Sequence, residues 1–173
     1  VIGYFSVRRS GIYFAMLTFA FQMLLYTIAL KATGLTGGDD GVTGIRPAGG
    51  LSDTTGLYYL VFVLVVGSLG LLWRLVNAPF GYALQALRNN PRRLRYVGVP
   101  VTLHQWLTFV IAGSFAGLAG GLFALSTGSV FPGWLNWTAS ATPVVMAVLG
   151  GLHSFLGPVL GAAVYVVLEV VIS

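Results

Sequence analysis

Polar positions are sparse along this chain, and the apolar runs between them set the architecture. Three runs are long enough to cross a bilayer: residues 12–30, 57–73 and 106–125, or 19, 17 and 20 residues. At about 1.5 Å of rise per residue, each reaches roughly 25–30 Å, the thickness of the hydrocarbon core. A backbone in lipid must satisfy its own hydrogen bonds, so all three are predicted as helices, over about residues 10–31, 56–76 and 105–126.

The last apolar run, residues 142–172, is interrupted by Gly150-Gly151, His153 and Gly157-Pro158. Proline removes a backbone donor and glycine loosens the chain. A half-helix over 139–150, a glycine-rich turn and a helix over 157–172 are therefore expected; one long tilted helix is the alternative. Irregular backbone at membrane depth is tolerated where protein or a water-filled cavity shields it. Gly150, Gly151 and His153 are accordingly candidate pathway residues.

One stretch stands apart from the apolar runs. In "FGYALQALRNNPRRLRYVGVP", residues 80–100, Phe80, Ala83, Leu84 and Leu87 recur at helical spacing. Asn90-Pro91 is expected to end that helix, because the residue before proline is pushed out of helical geometry. Arg88, Arg92, Arg93 and Arg95 crowd the same stretch, although charged residues make up only 8% of the chain.

Composition strengthens the membrane reading. Hydrophobic residues are 57% of the chain and mean hydropathy is +0.88, whereas a soluble domain carries about 25% charged residues. The net charge of +5 is a topology signal, since the basic residues flank apolar segments. If the helices alternate, Arg8, Arg9, Arg74, Arg88, Arg92, Arg93 and Arg95 share one side, and Lys31 and Arg46 the other. That places a loop over 77–104 in the cytoplasm. It places the loop carrying Asp39, Asp40 and Asp53 outside. Tyr58, Tyr59, Trp73, Trp106, Trp134 and Trp137 sit at segment ends, as an interfacial aromatic belt does. The chain begins at Val1 and stops just after an apolar run, and a fragment of a longer membrane protein is expected.

The basic loop has three candidate roles on its residues alone. Its arginines can hold the loop inside and reach anionic headgroups, at about 1 kcal/mol each. They can steer a cytosolic partner whose anchor is the small apolar face. Nucleic acid is disfavoured, because four arginines make a modest phosphate footprint and no recognition motif accompanies them.

Other chemistry is thin. The single lysine, Lys31, precedes Ala32, so no phosphate-binding loop exists; "GLAGGLFA", residues 117–124, lies within an apolar helix. The chain has no cysteine, and neither His104 nor His153 has a carboxylate within a helical turn, so no catalytic group, cofactor site or metal site is expected. His104 reads as an interfacial residue without a special role. Gly113, Gly117, Gly120 and Gly121 form a smooth stripe for close helix packing, a theme repeated by Gly157 and Gly161. The stripe serves packing either within the chain or against a helix of another membrane subunit. The turn "TGGDDG" comprises Thr36, Gly37, Gly38, Asp39, Asp40 and Gly41. It reads as a solvated turn, or as the lining of an outer entrance, and lacks calcium-loop spacing. Glu169 is a formal charge in an apolar run, a functional candidate or an interfacial one.

Four blocks carry a family resemblance. Phe80, Gly81, Ala83, Leu84, Ala86, Arg88 and Asn90, then the basic run and Gly98-Val99, resemble the coupling loop of branched-chain amino acid ABC permeases. "SGIYFAMLTFAF" (residues 10–21), "TGGDDG" and "VLGGLHSFLGPVLGA" (residues 148–162) resemble further blocks of that family; Ser10 departs from its usual residue. The similarity is greatest to the LivM-type subunit. The resemblance implies an all-α polytopic transmembrane bundle with a broken-helix segment and a cytoplasmic coupling loop, a single permease domain spanning 1–173 in part. It implies a multi-pass protein of the bacterial inner membrane. It further implies a second homologous permease, two cytoplasmic ATP-binding subunits and a periplasmic substrate-binding protein, with membrane lipid around them and no nucleic acid. The ATPase-coupling residues it implies are Phe80, Gly81, Ala83, Leu84, Leu87, Arg88, Asn90, Arg92, Arg93, Arg95 and Gly98. A permease for urea or short amides, a secondary transporter without an ATPase and a scaffold subunit are the alternatives.

Overall fold

The computed structural model describes residue 3 and residues 11–45, 54–152 and 154–172. Arg8, Arg9, Ser10, Arg46, Asp53 and His153 lie outside the described residues. The described chain is built from helices: α1 (Ile12–Lys31), α2 (Thr33–Thr36), α3 (Thr54–Val76), α4 (Pro79–Asn89), α5 (Pro91–Tyr96), α6 (Val101–Thr127), α7 (Trp137–Gly150) and α8 (Gly157–Ile172).

Three helices, α1, α3 and α6, are long and apolar enough to cross a membrane. They are apolar on every side, without the polar stripe that a surface helix keeps for water. Their outward face carries large hydrophobic side chains: Val63 and Val66, near the middle of α3, are 65% and 51% exposed. Among the described residues the buried apolar side chains are Val101 and Leu122. A soluble fold is stabilised by the reverse arrangement. Here the favourable term is transfer into lipid, about 0.3–0.6 kcal/mol for each central Leu, Ile, Phe or Val. A single Arg, Lys or Asp at the same depth costs about 2.5–3.5 kcal/mol, which explains why the middles of these helices carry none. Several hydroxyls of α1 and α6 turn back to their own helix. Thr18 donates to the Phe14 carbonyl at 3.0 Å, Thr27 to Met23 at 2.8 Å, Thr108 to His104 at 2.7 Å and Ser114 to Val110 at 2.9 Å.

By contacts the chain divides into two compact units. The first comprises Val1–Thr18 and Gly41–Val130. In it α3 and α6 flank the short helices α4 and α5, and Phe14 meets Phe109 edge to face, with ring centroids 6.3 Å apart. A minimal antiparallel strand pair, which the hydropathy pattern did not predict, joins β1 (Val42–Thr43) to β2 (Ser129–Val130). It follows Gly128, whose φ of 67° and amide bond to the Ala124 carbonyl cap α6.

The second unit comprises Phe19–Asp40 and Phe131–Ser173. Its centre is the pair α7 and α8. The long apolar run at the end of the chain is thus two helices, broken between Gly150 and Gly157. The pair is antiparallel, since Gly150 faces Gly157 and Met146 faces Gly161. A methyl at Gly150 would run into the Gly157 carbonyl, and one at Gly161 into the Met146 carbonyl. Two backbones this close exclude any side chain between them. Pro143 lies inside α7. At 14 residues, α7 rises only about 21 Å, short of a roughly 30 Å hydrocarbon core.

Candidate functional site

The arginine-bearing stretch folds as two short helices. α4 begins with Pro79 in its first turn, where a missing amide costs nothing. Phe80, Ala83, Leu84 and Leu87 are half-buried and Gly81 is buried, whereas Tyr82, Gln85 and Arg88 stand exposed. The period-3.6 apolar face is therefore turned toward the protein and the basic edge away from it.

The expected stop at Asn90-Pro91 is also a start. Asn90 has extended backbone, φ −156° and ψ 94°, and its amide closes α4 on the Ala86 carbonyl at 3.0 Å. Its side-chain oxygen accepts the Arg93 amide at 3.2 Å, capping α5. Pro91 occupies the first position of that helix. Arg92, Arg93 and Arg95 thus lie on a helix rather than in an open loop, with Arg93 and Arg95 exposed.

Gly98 closes the segment. Its φ is 82°, and its amide donates to the Arg95 carbonyl at 3.1 Å, while the Val99 amide reaches the Leu94 carbonyl at 3.3 Å. These two bonds form a Schellman cap, which requires a residue in the left-handed region. Pro100 then leads directly into α6, four residues before the hydropathy pattern placed that helix.

The segment is fixed to both spanning helices of its unit. Gly81 packs so tightly that a Cβ there would enter the Val76 carbonyl at the end of α3. Phe80 stacks on His104 in the first turn of α6, with centroids 5.6 Å apart and planes 17° from parallel. Sequence reasoning passed over His104, since nothing in a linear pattern places it beside Phe80.

The remaining candidates fall elsewhere. In the second unit, Thr36 ends α2 and donates to the Ala29 and Ala32 carbonyls, closing the exposed end of α1. Gly37 and Gly38 hold φ of 71° and 62°, and a one-turn 3-10 helix, Gly38–Asp40, leaves both aspartates exposed. Gln22 donates to the Leu135 carbonyl at 3.0 Å, tying α1 to the turn before α7. Gly151 lies past the end of α7 with φ 95°. Gly157 and Gly161 are buried against α7. In the first unit, Gly113, Gly117, Gly120 and Gly121 have open space where a Cβ would stand. Glu169 is exposed on α8.

Residues 1–173 match the family described as branched-chain amino acid transport system, permease component. The chain belongs to that family. Its relatives include the high-affinity branched-chain amino acid transport system permease protein LivM of Salmonella typhimurium, 31% identical over 96% of this chain. LivM of Escherichia coli is 32% identical over the same share. The autoinducer 2 import system permease protein LsrC of Photorhabdus laumondii is 31% identical over 58% of this chain and 32% of its own length. The chain spans 46% of the length of either LivM relative. No solved structure matches it. With its apolar helices, this permease-family chain is a multi-pass membrane protein, and its family is one of transport permeases rather than catalysts.

Proposed function

We propose that this chain is part of the permease subunit of an ATP-binding-cassette importer, carrying branched-chain, hydrophobic amino acids across the bacterial inner membrane. The observation that carries the reading is the segment 79–98: two short helices, apolar toward the protein and basic outward, fixed to the ends of two spanning helices. Such a segment is suited to receive a cytosolic partner and pass its motion to the membrane helices. The partners are two ATP-binding subunits at this segment, a second homologous permease, and a periplasmic binding protein that delivers the substrate. ATP is hydrolysed on the partner subunits. Arg88, Arg92, Arg93 and Arg95 steer the docking, and Phe80, Gly81, Ala83, Leu84 and Leu87, turned toward the protein, hold the segment to its own helices.

The open stripe of Gly113, Gly117, Gly120 and Gly121 is offered to another membrane helix, that of the second permease. The α7–α8 break, with Gly150, Gly151 and His153, lies along the pathway, and the turn Thr36–Gly41 at its outer entrance. The coverage of the LivM relatives favours leucine, isoleucine and valine over the autoinducer of LsrC.

The test is uptake of radiolabelled leucine by the full-length permease, assembled with its partner subunits. Arg88→Glu is expected to leave membrane insertion and ATP hydrolysis intact and to reduce uptake about tenfold, within the usual range of coupling energies. Normal leucine uptake by this variant would count against the coupling role. Uptake of autoinducer 2 in place of leucine would reassign the substrate.

A further inference from the structure

Phe80 and Gly81 are adjacent on α4, and successive residues of a helix point about 100° apart. They accordingly meet different neighbours. Gly81 lies against the backbone at Val76, the last residue of α3. Phe80 lies flat on the His104 ring, which belongs to the first turn of α6. That ring is itself held. His104 Nδ1 is 3.1 Å from the Pro100 carbonyl, which can only accept, so the proton sits on Nδ1 and the bond fixes the ring's orientation. Pro100 has a locked φ and precedes the buried Val101.

We infer that Phe80 and His104 are the positioning pair that transmits displacement of the coupling helix into α6, with Gly81 as the fixed contact on α3. The inference rests on the coupling reading above and assigns its route. A partner pressing on the outer edge of α4 moves two planar rings in contact, and the second is bonded to the start of a 27-residue span. Backbone contact at Gly81 leaves no slack on the other side, so the displacement goes to α6 rather than being lost as sliding.

The readout is the number of ATP molecules hydrolysed per leucine imported, measured on the full transporter in proteoliposomes. His104→Leu and Phe80→Leu each put an apolar side chain of comparable bulk in place of the ring. Each is expected to raise the ratio about two- to tenfold, as the loss of one aromatic pair allows. The double variant is expected to be no worse than either single one, because both remove the same contact. His104→Phe and Phe80→Tyr restore planarity and return the ratio toward that of the wild type. A merely structural role would lower uptake and hydrolysis together and leave the ratio unmoved; that result overturns the inference. Crosslinking from Gln85→Cys, on the exposed edge of α4, separates the two levels. An adduct with an ATP-binding subunit beside an unmoved ratio sinks the positioning pair alone. Absence of an adduct in an importing complex sinks the coupling reading with it.

Discussion

Two sets of glycines look alike in the sequence and stand in opposite surroundings. On α7 and α8, Gly150, Gly157 and Gly161 face backbone, with no room for a methyl group. On α6, Gly113, Gly117, Gly120 and Gly121 face open space. Gly157 and Gly161, like Gly113, Gly117 and Gly121, recur at i+4, the spacing that lays residues along one helix face. The first is a contact already made, helix on helix, where Cα–H···O contacts contribute about 0.5–1 kcal/mol each. The second is a smooth surface that no described residue fills. Since apolar burial does little between helices already in lipid, close approach is what such a surface has to offer. Glycine spacing alone therefore marks a helix face fit for packing and does not tell whether the packing lies within the chain.

That contrast can be broken by substitution. The largest effect is expected for Gly161→Leu, whose side chain would enter the Met146 backbone. Loss of the α7–α8 contact is expected to destabilise the full-length permease by about 3 kcal/mol, at the upper end for overpacking. Thermal unfolding in detergent measures it. Gly81→Trp comes next. It is expected to lift α4 from α3 and cut leucine uptake roughly tenfold while insertion stays normal, a loss of coupling rather than of folding. Gly117→Leu should be the mildest for the chain itself, at about 1 kcal/mol or less, because leucine is the better helix former and the space is open. Its effect belongs to assembly: co-purification of the second permease should fall. Equal destabilisation by Gly161→Leu and Gly117→Leu would erase the distinction between closed and open stripes.

The spanning helices were legible because lipid imposes a constraint that composition displays directly: about 20 apolar residues without a charge. The broken final run was legible for a related reason, since glycine and proline interrupt hydrogen bonding wherever they fall. The segment 79–98 was legible only in part. The spacing of Phe80, Ala83, Leu84 and Leu87 marks one face, and Asn90-Pro91 marks a boundary. The boundary hides a second helix, because proline suits a helix start as well as a stop. Gly98-Val99 reads as two loop residues until the bonds to Arg95 and Leu94 show a cap. The stack of Phe80 on His104 and the pairing of Val42 with Val130 join residues far apart in sequence. No local period encodes such contacts, which depend on how the helices are packed.

The account depends most on the segment 79–98 being the surface that a nucleotide-hydrolysing subunit grips. The 173 residues contain no cysteine, so Gln85→Cys places one thiol on the outward edge of α4 within this region. With a short thiol-reactive crosslinker, in membranes actively importing leucine, this thiol should be captured by the ATP-binding subunit, and the adduct should change in yield when ATP is supplied. Import at the normal rate with the thiol never captured by that subunit would contradict the account.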